Sequence, residues 1–219
     1  MNKKEVPLEY NFYAKFSQCI KPIVSQGLNS TVYALIANSM ISDRMCKLNK
    51  KKVNLSITYL TSCNSGSNSS QGSVVAIVKF ISSVDVPLDK CILNPSNVCD
   101  FECNRTFSGK TIKGLCKVSG EDNIKREILK NGPIAISIKM KNDFTTYRQG
   151  IYQYRPGAGV FNITNEHIVK VIGWGEIDGV KYWQIENTWG DDWGESGYGK
   201  IEINATHGIV DDNALAIQF

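Results

Sequence analysis

Apolar positions change period part-way along the chain. Over residues 32–46, Val32, Leu35, Ile36, Met40 and Met45 recur at close to helical spacing, which predicts one helix, and Val74 to Ile81 and Ile124 to Leu129 predict two more. The last of these runs into Asn131-Gly132-Pro133, a glycine that can close a helix followed by a proline that cannot continue one. Beyond that stop the apolar runs shorten. Ile134 to Met140, Ile168 to Trp174, Lys181 to Glu186 and Gly199 to Ile203 have strand-like length and are separated by turns rich in Gly, Asp and Asn. A helical first half and a β-rich second half predict an α+β chain in two lobes, with the cleft between them as the expected binding site. The Ser- and Asn-rich piece from Ser62 to Ser73 is the one low-complexity stretch and reads as a surface loop. No repeat or linker divides the chain, so residues 1–219 are expected to form a single domain.

Composition narrows the class. With 219 residues, 42% hydrophobic and 21% charged, the chain can bury a core, which argues against disorder. No run approaches the roughly 18 apolar residues of a membrane span. No charged-then-apolar leader opens the sequence, so any signal or pro-segment is expected to lie outside it. A net charge of +4 is too small to imply nucleic acid, and the basic cluster Lys47 to Lys52 reads as a solvated loop.

Asparagine and cysteine mark the compartment. Six Asn-x-Ser/Thr sequons occur, at Asn29, Asn54, Asn68, Asn104, Asn162 and Asn204, where the 19 Asn and 29 Ser plus Thr would give about 2.5 by chance. The excess favours the secretory route. Seven cysteines could hold zinc or form disulfides, but no Cys-x-x-Cys is present and only His167 and His207 could assist a metal, which favours disulfides. An odd count leaves one thiol over, and disulfides imply an oxidising compartment. No cofactor or metal is expected.

The segment Asn187-Thr188-Trp189-Gly190-Asp191-Asp192-Trp193-Gly194-Glu195-Ser196-Gly197-Tyr198-Gly199 resembles the Asn-Ser-Trp-Gly-x-x-Trp-Gly-x-x-Gly-Tyr signature of papain-like cysteine proteases. Twenty residues earlier, His167 stands in Glu166-His167-Ile168-Val169-Lys170-Val171-Ile172-Gly173-Trp174-Gly175, similar to that family's His-bearing strand. Asn131-Gly132-Pro133 and Phe144-x-x-Tyr147-x-x-Gly150-Ile151-Tyr152 resemble two further family segments. Ser42-Asp43-Arg44-Met45-Cys46 and the Cys99-x-x-x-Cys103 spacing tilt the match toward cathepsin B. The likeness covers nearly the whole chain from Pro7. It implies a papain-like two-lobed fold, with a helical left lobe of about residues 18–118. A β-barrel-like right lobe of about residues 119–219, with the N-terminal segment added, would face it across the cleft.

The family's chemistry needs a thiolate at a helix N-terminus paired with an imidazolium. Its Gln-Gly-x-Cys-Gly-Ser-Cys-Trp-Ala motif corresponds without gaps to Gln26-Gly27-Leu28-Asn29-Ser30-Thr31-Val32-Tyr33-Ala34, so the nucleophile position is Val32. By the same resemblance His167 is the catalytic base, Asn187 its orienting partner, Gln26 a remnant of the oxyanion hole, and Trp189 the shield over the His167–Asn187 contact. A hydrocarbon has no lone pair to attack with. Thr31 or Ser30 cannot substitute simply, because one residue along a helix turns a side chain by about 100°. The other motif cysteine is Asn29, and its usual partner falls in Asn68-Ser69-Ser70-Gln71-Gly72, so both ends of one family disulfide are absent together, at an expected cost of about 2–4 kcal/mol.

The resemblance further implies Cys19–Cys46, Cys63–Cys99 and Cys91–Cys103 bridges, with Cys116 free. The span from Cys91 to Cys103 has no His-His dipeptide of the kind found in cathepsin B's occluding loop. Trp183 and Trp193 are expected in the core, and His207 at the surface or in a structural role. Glycans are expected at Asn54, Asn68, Asn104 and Asn204; Asn162 is a weaker candidate, and a glycan on Asn29 would plug the cleft. The implied protein is a catalytically inactive cathepsin B-like homologue: a monomeric, secreted or lysosomal/vacuolar glycoprotein that acts by binding a protein, a peptide or a cystatin-type inhibitor. The rival is an active papain-family peptidase using another nucleophile.

Overall fold

The computed structural model describes residues 5–25, 31–64, 73–91, 93–94, 97–153, 165–203 and 214–219. Among the described residues there are five α-helices: α1 Phe12–Lys15, α2 Val32–Asn49, α3 Ile57–Ser62, α4 Val74–Ser83 and α5 Glu121–Asn131. Helix α2 runs three residues past its expected end, to Lys50 in the left-handed region (φ 62°), whose N–H closes on the Cys46 carbonyl at 2.9 Å. Lys47 and Leu48 are therefore helical, and of the cluster expected as a solvated loop only Lys50, Lys51 and Lys52 are exposed beyond the helix. Helices α3 and α4 start at serine caps, Ser56 Oγ accepting from the Tyr59 N–H and Ser73 Oγ from the Ala76 N–H. Helix α3 was not expected; six residues give too few turns for a period to register. Helix α5 stops as its sequence predicts, at Gly132 with φ 111°, a conformation that disfavours side chains.

The strands are β1 Tyr10–Asn11, β2 Asp85–Pro87, β3 Leu93–Asn94, β4 Asn97–Phe101, β5 Thr106–Ser108, β6 Gly114–Val118, β7 Ile134–Met140, β8 Ile151–Tyr152, β9 Asn165–Ile177, β10 Val180–Glu186, β11 Tyr198–Glu202 and β12 Ala214–Gln218. Eight of them form one sheet in the order β6-β12-β7-β9-β10-β11-β8, with β1 attached to β9. Pairing is antiparallel except between β11 and β8, and the sheet is open, in contrast to the barrel-like closure expected. Strands β6 and β12 lack clear alternation and were not foreseen; β6 already belongs to the sheet, ahead of residue 119. Strand β9 lies near the centre and is buried continuously from His167 to Gly175, which explains why it reads as an unbroken apolar run. Strand β1 crosses it so closely that a Cβ on Gly173 would stand 2.0 Å from the Tyr10 carbonyl oxygen.

Two main cores result. One lies beneath α2, α3 and α4 (Ile36, Met40, Ile41, Leu60, Val78, Ile81) and reaches the sheet through Ala135, Ile168 and Ile217. The other packs α5 against the sheet (Ile124, Ile128, Ile136, Val169, Val171) and continues into Trp174, Trp183 and Trp193. A smaller cluster of Phe12, Tyr13, Cys19, Cys46 and Ile172 holds the N-terminal segment. Cys19 is bonded to Cys46, Cys63 to Cys99 and Cys91 to Cys103, the pairs implied above, and Cys116 is the free thiol.

The Ser42-Asp43-Arg44-Met45-Cys46 segment stitches the halves together. Arg44 is fully buried and donates to the carbonyls of Pro133, Gly132 and Ile217 and to Glu127, fixing α2 to the end of α5 and to β12. Cys46 ties the same helix to the N-terminal segment.

Candidate active site

Strand β9 delivers His167, and the turn after β10 delivers Asn187 and Trp189. His167 and Asn187 are both buried, and His167 Nε2 lies 2.7 Å from Asn187 Oδ1. The Thr188 N–H donates to the same Oδ1 at 2.8 Å, so that oxygen is an acceptor and Nε2 carries the proton. The other ring nitrogen, Nδ1, then holds the lone pair. Burial pushes the His167 pKa below its ordinary value near 6.5, and the hydrogen bond that His167 donates to Asn187, which acts the other way, does not restore it. The ring is a neutral imidazole at neutral pH.

Trp189 stacks on His167, with centroids 4.5 Å apart and planes 26° apart. Its own position is set from behind by Phe144 and Trp193, at 5.8 and 5.6 Å. This accounts for the Phe144-x-x-Tyr147-x-x-Gly150-Ile151-Tyr152 segment. Phe144 and Tyr147 pack on Trp193, the Tyr147 hydroxyl donates to the Gly150 carbonyl, and the Tyr147 carbonyl accepts from the Gly194 N–H. Trp174, Trp183 and Trp193 are buried in the core.

Val32 is the first residue of α2, partly buried against the helical core. The first-turn N–H groups of a helix have no acceptor within it, the Thr31 side chain makes no cap, and no acidic residue stands in this turn. The positive end of the α2 dipole is thus uncompensated by an acidic side chain of its own first turn. Ser25, just ahead of the motif, forms an antiparallel bridge with Trp189, which brings that segment against the sheet side of the site. Gln26, Asn29 and Ser30 lie outside the described residues, as do Asn68, Asn162, Asn204 and His207. Asn54 and Asn104 are exposed, and the Asn54 amide bonds to Lys21 and Asp89. Among the described residues no group of three or more His, Cys, Asp or Glu is placed to hold a metal.

Next to this site is a charged network that sequence reasoning missed. Lys170, fully buried, contacts Asp43 Oδ2 at 2.6 Å, Glu186 Oε1 at 2.9 Å and the Tyr13 hydroxyl at 2.8 Å, and also meets Ser39. Tyr13 in turn donates to Glu186 at 2.7 Å. Burial opposes the charge on Lys170, but Asp43 and Glu186 outweigh it and its pKa is raised. Burial likewise opposes the Glu186 charge, and Lys170 holds its carboxyl below the usual range; burial raises the Asp43 carboxyl. The network joins α1, α2, β9 and β10 one residue from Asn187. Its sequence signal was a lysine inside the apolar run Ile168-Val169-Lys170-Val171-Ile172 and an aspartate inside the apolar stretch of α2. On the flank of Asn187 a cavity of about 410 Å³ opens, bordered by Lys21, Leu35, Ser39, Asn54, Glu186 and Thr188.

Comparison with known proteins agrees with this architecture. The chain is 29% identical to Cathepsin B-like CP2 of Giardia intestinalis over 231 residues, covering 98% of this chain and 75% of that protein. It is 27% identical to Cathepsin B-like cysteine proteinase 1 of Ostertagia ostertagi over 237 residues, 90% of this chain and 68% of the relative. Among solved structures, proCathepsin B S9 from Trypanosoma congolense superposes with a TM-score of 0.82 at 24% identity, covering 99% of this chain and 80% of the other. The digestive procathepsin L 3 of Tenebrio molitor larval midgut gives 0.79 at 20%, covering 100% and 72%. At those identities the structures speak for the fold alone. Residues 6–217 match the family described as papain family cysteine protease, and with its cathepsin B-like homologues this chain belongs to that family.

Proposed function

We propose that this chain is a catalytically inactive cathepsin B-like homologue that works by binding. The observation that carries the reading is Val32 at the first position of α2, where the family's chemistry needs a thiolate, in a chain that keeps the His167–Asn187–Trp189 set. Valine offers neither an acidic proton nor an attacking lone pair, so the imidazole has nothing to activate. The depressed His167 pKa fits this: a neutral ring in a dry site is what remains when no thiolate stabilises the imidazolium.

On this reading the chain is one peptidase-homology domain whose groove, including the cavity beside Asn187, takes a peptide, a protein or a cystatin-type inhibitor. The three disulfides support passage through an oxidising compartment, secreted or lysosomal/vacuolar, and the exposed Asn54 and Asn104 are the described sequons suited to glycans. No helix among the described residues is long and apolar enough to cross a membrane.

The test is a broad fluorogenic peptide screen together with an epoxysuccinyl active-site label. Neither turnover nor covalent labelling is expected, and Val32→Cys should regain weak activity at most, because Tyr33 stands where the family has tryptophan. Turnover by the natural chain that disappears in His167→Ala would establish an active peptidase with another nucleophile and overturn the proposal.

A further inference from the structure

Acidic residues are unevenly distributed along the chain. Residues 10–84 contain eight Lys or Arg and a single acidic residue, Asp43, whereas the other 144 residues contain 17 Lys or Arg and 20 Asp or Glu. Asp43 is fully buried on Lys170, so no carboxylate of that stretch reaches the surface. A surface without carboxylates carries a net positive potential, which an anionic partner complements.

The fold gathers this charge at one place. The Cys19–Cys46 bridge holds the segment after α1 against the end of α2. Phe16 lies there with the Lys47 and Lys50 ammonium groups 5.5 and 5.3 Å from its ring centroid, and Lys52 donates to the Ile20 carbonyl at 2.7 Å. Lys15, Lys50, Lys51 and Lys52 are exposed and form no ion pair with any described residue. The negative groups close by are weaker or already engaged. The carbonyl end of α2 counts for about half an elementary charge against those four ammonium groups, and its Cys46 carbonyl is bonded to the Lys50 N–H. Glu127 is taken up by Arg44 and by the Asn131 amide. Lys47 is committed to the Leu129 carbonyl of α5 at 2.6 Å, beside the pocket that Lys130 and Phe219 border, so the surface rests on the other four lysines.

Apolar side chains stand among these ammonium groups. Ile20 is 45% exposed and the Phe16 ring is half-buried. A soluble polyanion would use the lysines and leave both apolar groups in water. The interface of an anionic bilayer takes up both kinds, ammonium groups beside lipid phosphate and apolar tips at the acyl boundary. The disulfide holds the two segments together in advance, which keeps the ordering cost of docking small.

We propose that this face docks on an anionic lipid surface, with Lys15, Lys50, Lys51 and Lys52 at the headgroups and Ile20 and Phe16 between them. The association is peripheral and does not depend on the residue at position 32.

Co-sedimentation of the full chain with phosphatidylcholine vesicles, with and without phosphatidylserine, tests it. The variants are Lys50→Asn, Lys51→Gln, their double, Ile20→Ser and, as a charge-matched control on β7, Lys139→Gln. All four residues are exposed, so the variants should keep the wild-type circular dichroism. Binding that requires phosphatidylserine, weakens as salt is raised and falls about five-fold for each lysine removed supports the proposal. So does a further loss of several-fold in Ile20→Ser, with little change in Lys139→Gln. No binding to phosphatidylserine vesicles, equal binding to phosphatidylcholine alone, or an equal loss in Lys139→Gln would overturn it. Full competition by polyglutamate with no effect of Ile20→Ser would identify a soluble polyanion as the partner and overturn it too.

Discussion

The two sides of the cleft are held by different means. On the sheet side, β7, β9 and β10 form a long antiparallel ladder backed by Trp174, Trp183 and Trp193, and His167, Asn187 and Trp189 are positioned by it without a disulfide. On the helix side, α2 is tied by Cys19–Cys46, by the Arg44 fan of carbonyl bonds and by Asp43 to Lys170, while Val32 itself is held only by packing at the first turn. Among the described residues, His167 bonds to Asn187 and stacks on Trp189, both on the sheet side, while Ser25, on the segment that leads to α2, bridges Trp189. On the proposed register, an imidazole held in this way keeps its geometry while residue 32 is a hydrocarbon.

The largest test of this contrast is the network that joins the two sides. Lys170→Met leaves Asp43 and Glu186 buried without their cation and should cost about 3–5 kcal/mol in urea unfolding; a loss under about 1 kcal/mol would show that packing alone joins the halves. Next comes the covalent tie of the helix side. Replacing both Cys19 and Cys46 with serine should lower stability by about 2–5 kcal/mol and leave the His167 environment, followed by its imidazole NMR signals, unchanged. Movement of those signals would mean that the sheet-side set leans on α2 after all.

Asn187→Ala is a smaller change confined to the sheet side. It removes the acceptor for the buried His167 Nε2–H and should cost about 1–3 kcal/mol, with loss of the protected imidazole N–H resonance. The smallest effect is in titration. His167 should titrate below 6.5, so the stability gained by keeping it neutral is complete above that pH and is lost as the pH falls through 6.5 toward the folded-state value. In Val32→Cys, a thiolate in reach of the ring would raise that value; an unchanged midpoint would separate residue 32 from His167 and break the proposed register.

Much of this was legible beforehand, and unevenly so. Long periodic segments announced themselves: α2, α5 and the ladder β7, β9, β10 and β11 fall where the spacing puts them, since a buried face repeats every 3.6 or 2 residues over enough length to be counted. Short α3 and the sheet-edge pair β6 and β12 did not, because their few residues are recruited by neighbours rather than by a period of their own. The chain's order of residues was enough to pair six cysteines through resemblance and to single out His167, Asn187 and Trp189, which the fold brings together. It could not tell that a lysine in one apolar run would meet an aspartate 127 residues away and a glutamate on the next strand, or that the sheet would stay open. Local pattern records which side of an element is buried; charge partners and cavities arise from distances between elements, and those exist only once the chain has closed on itself.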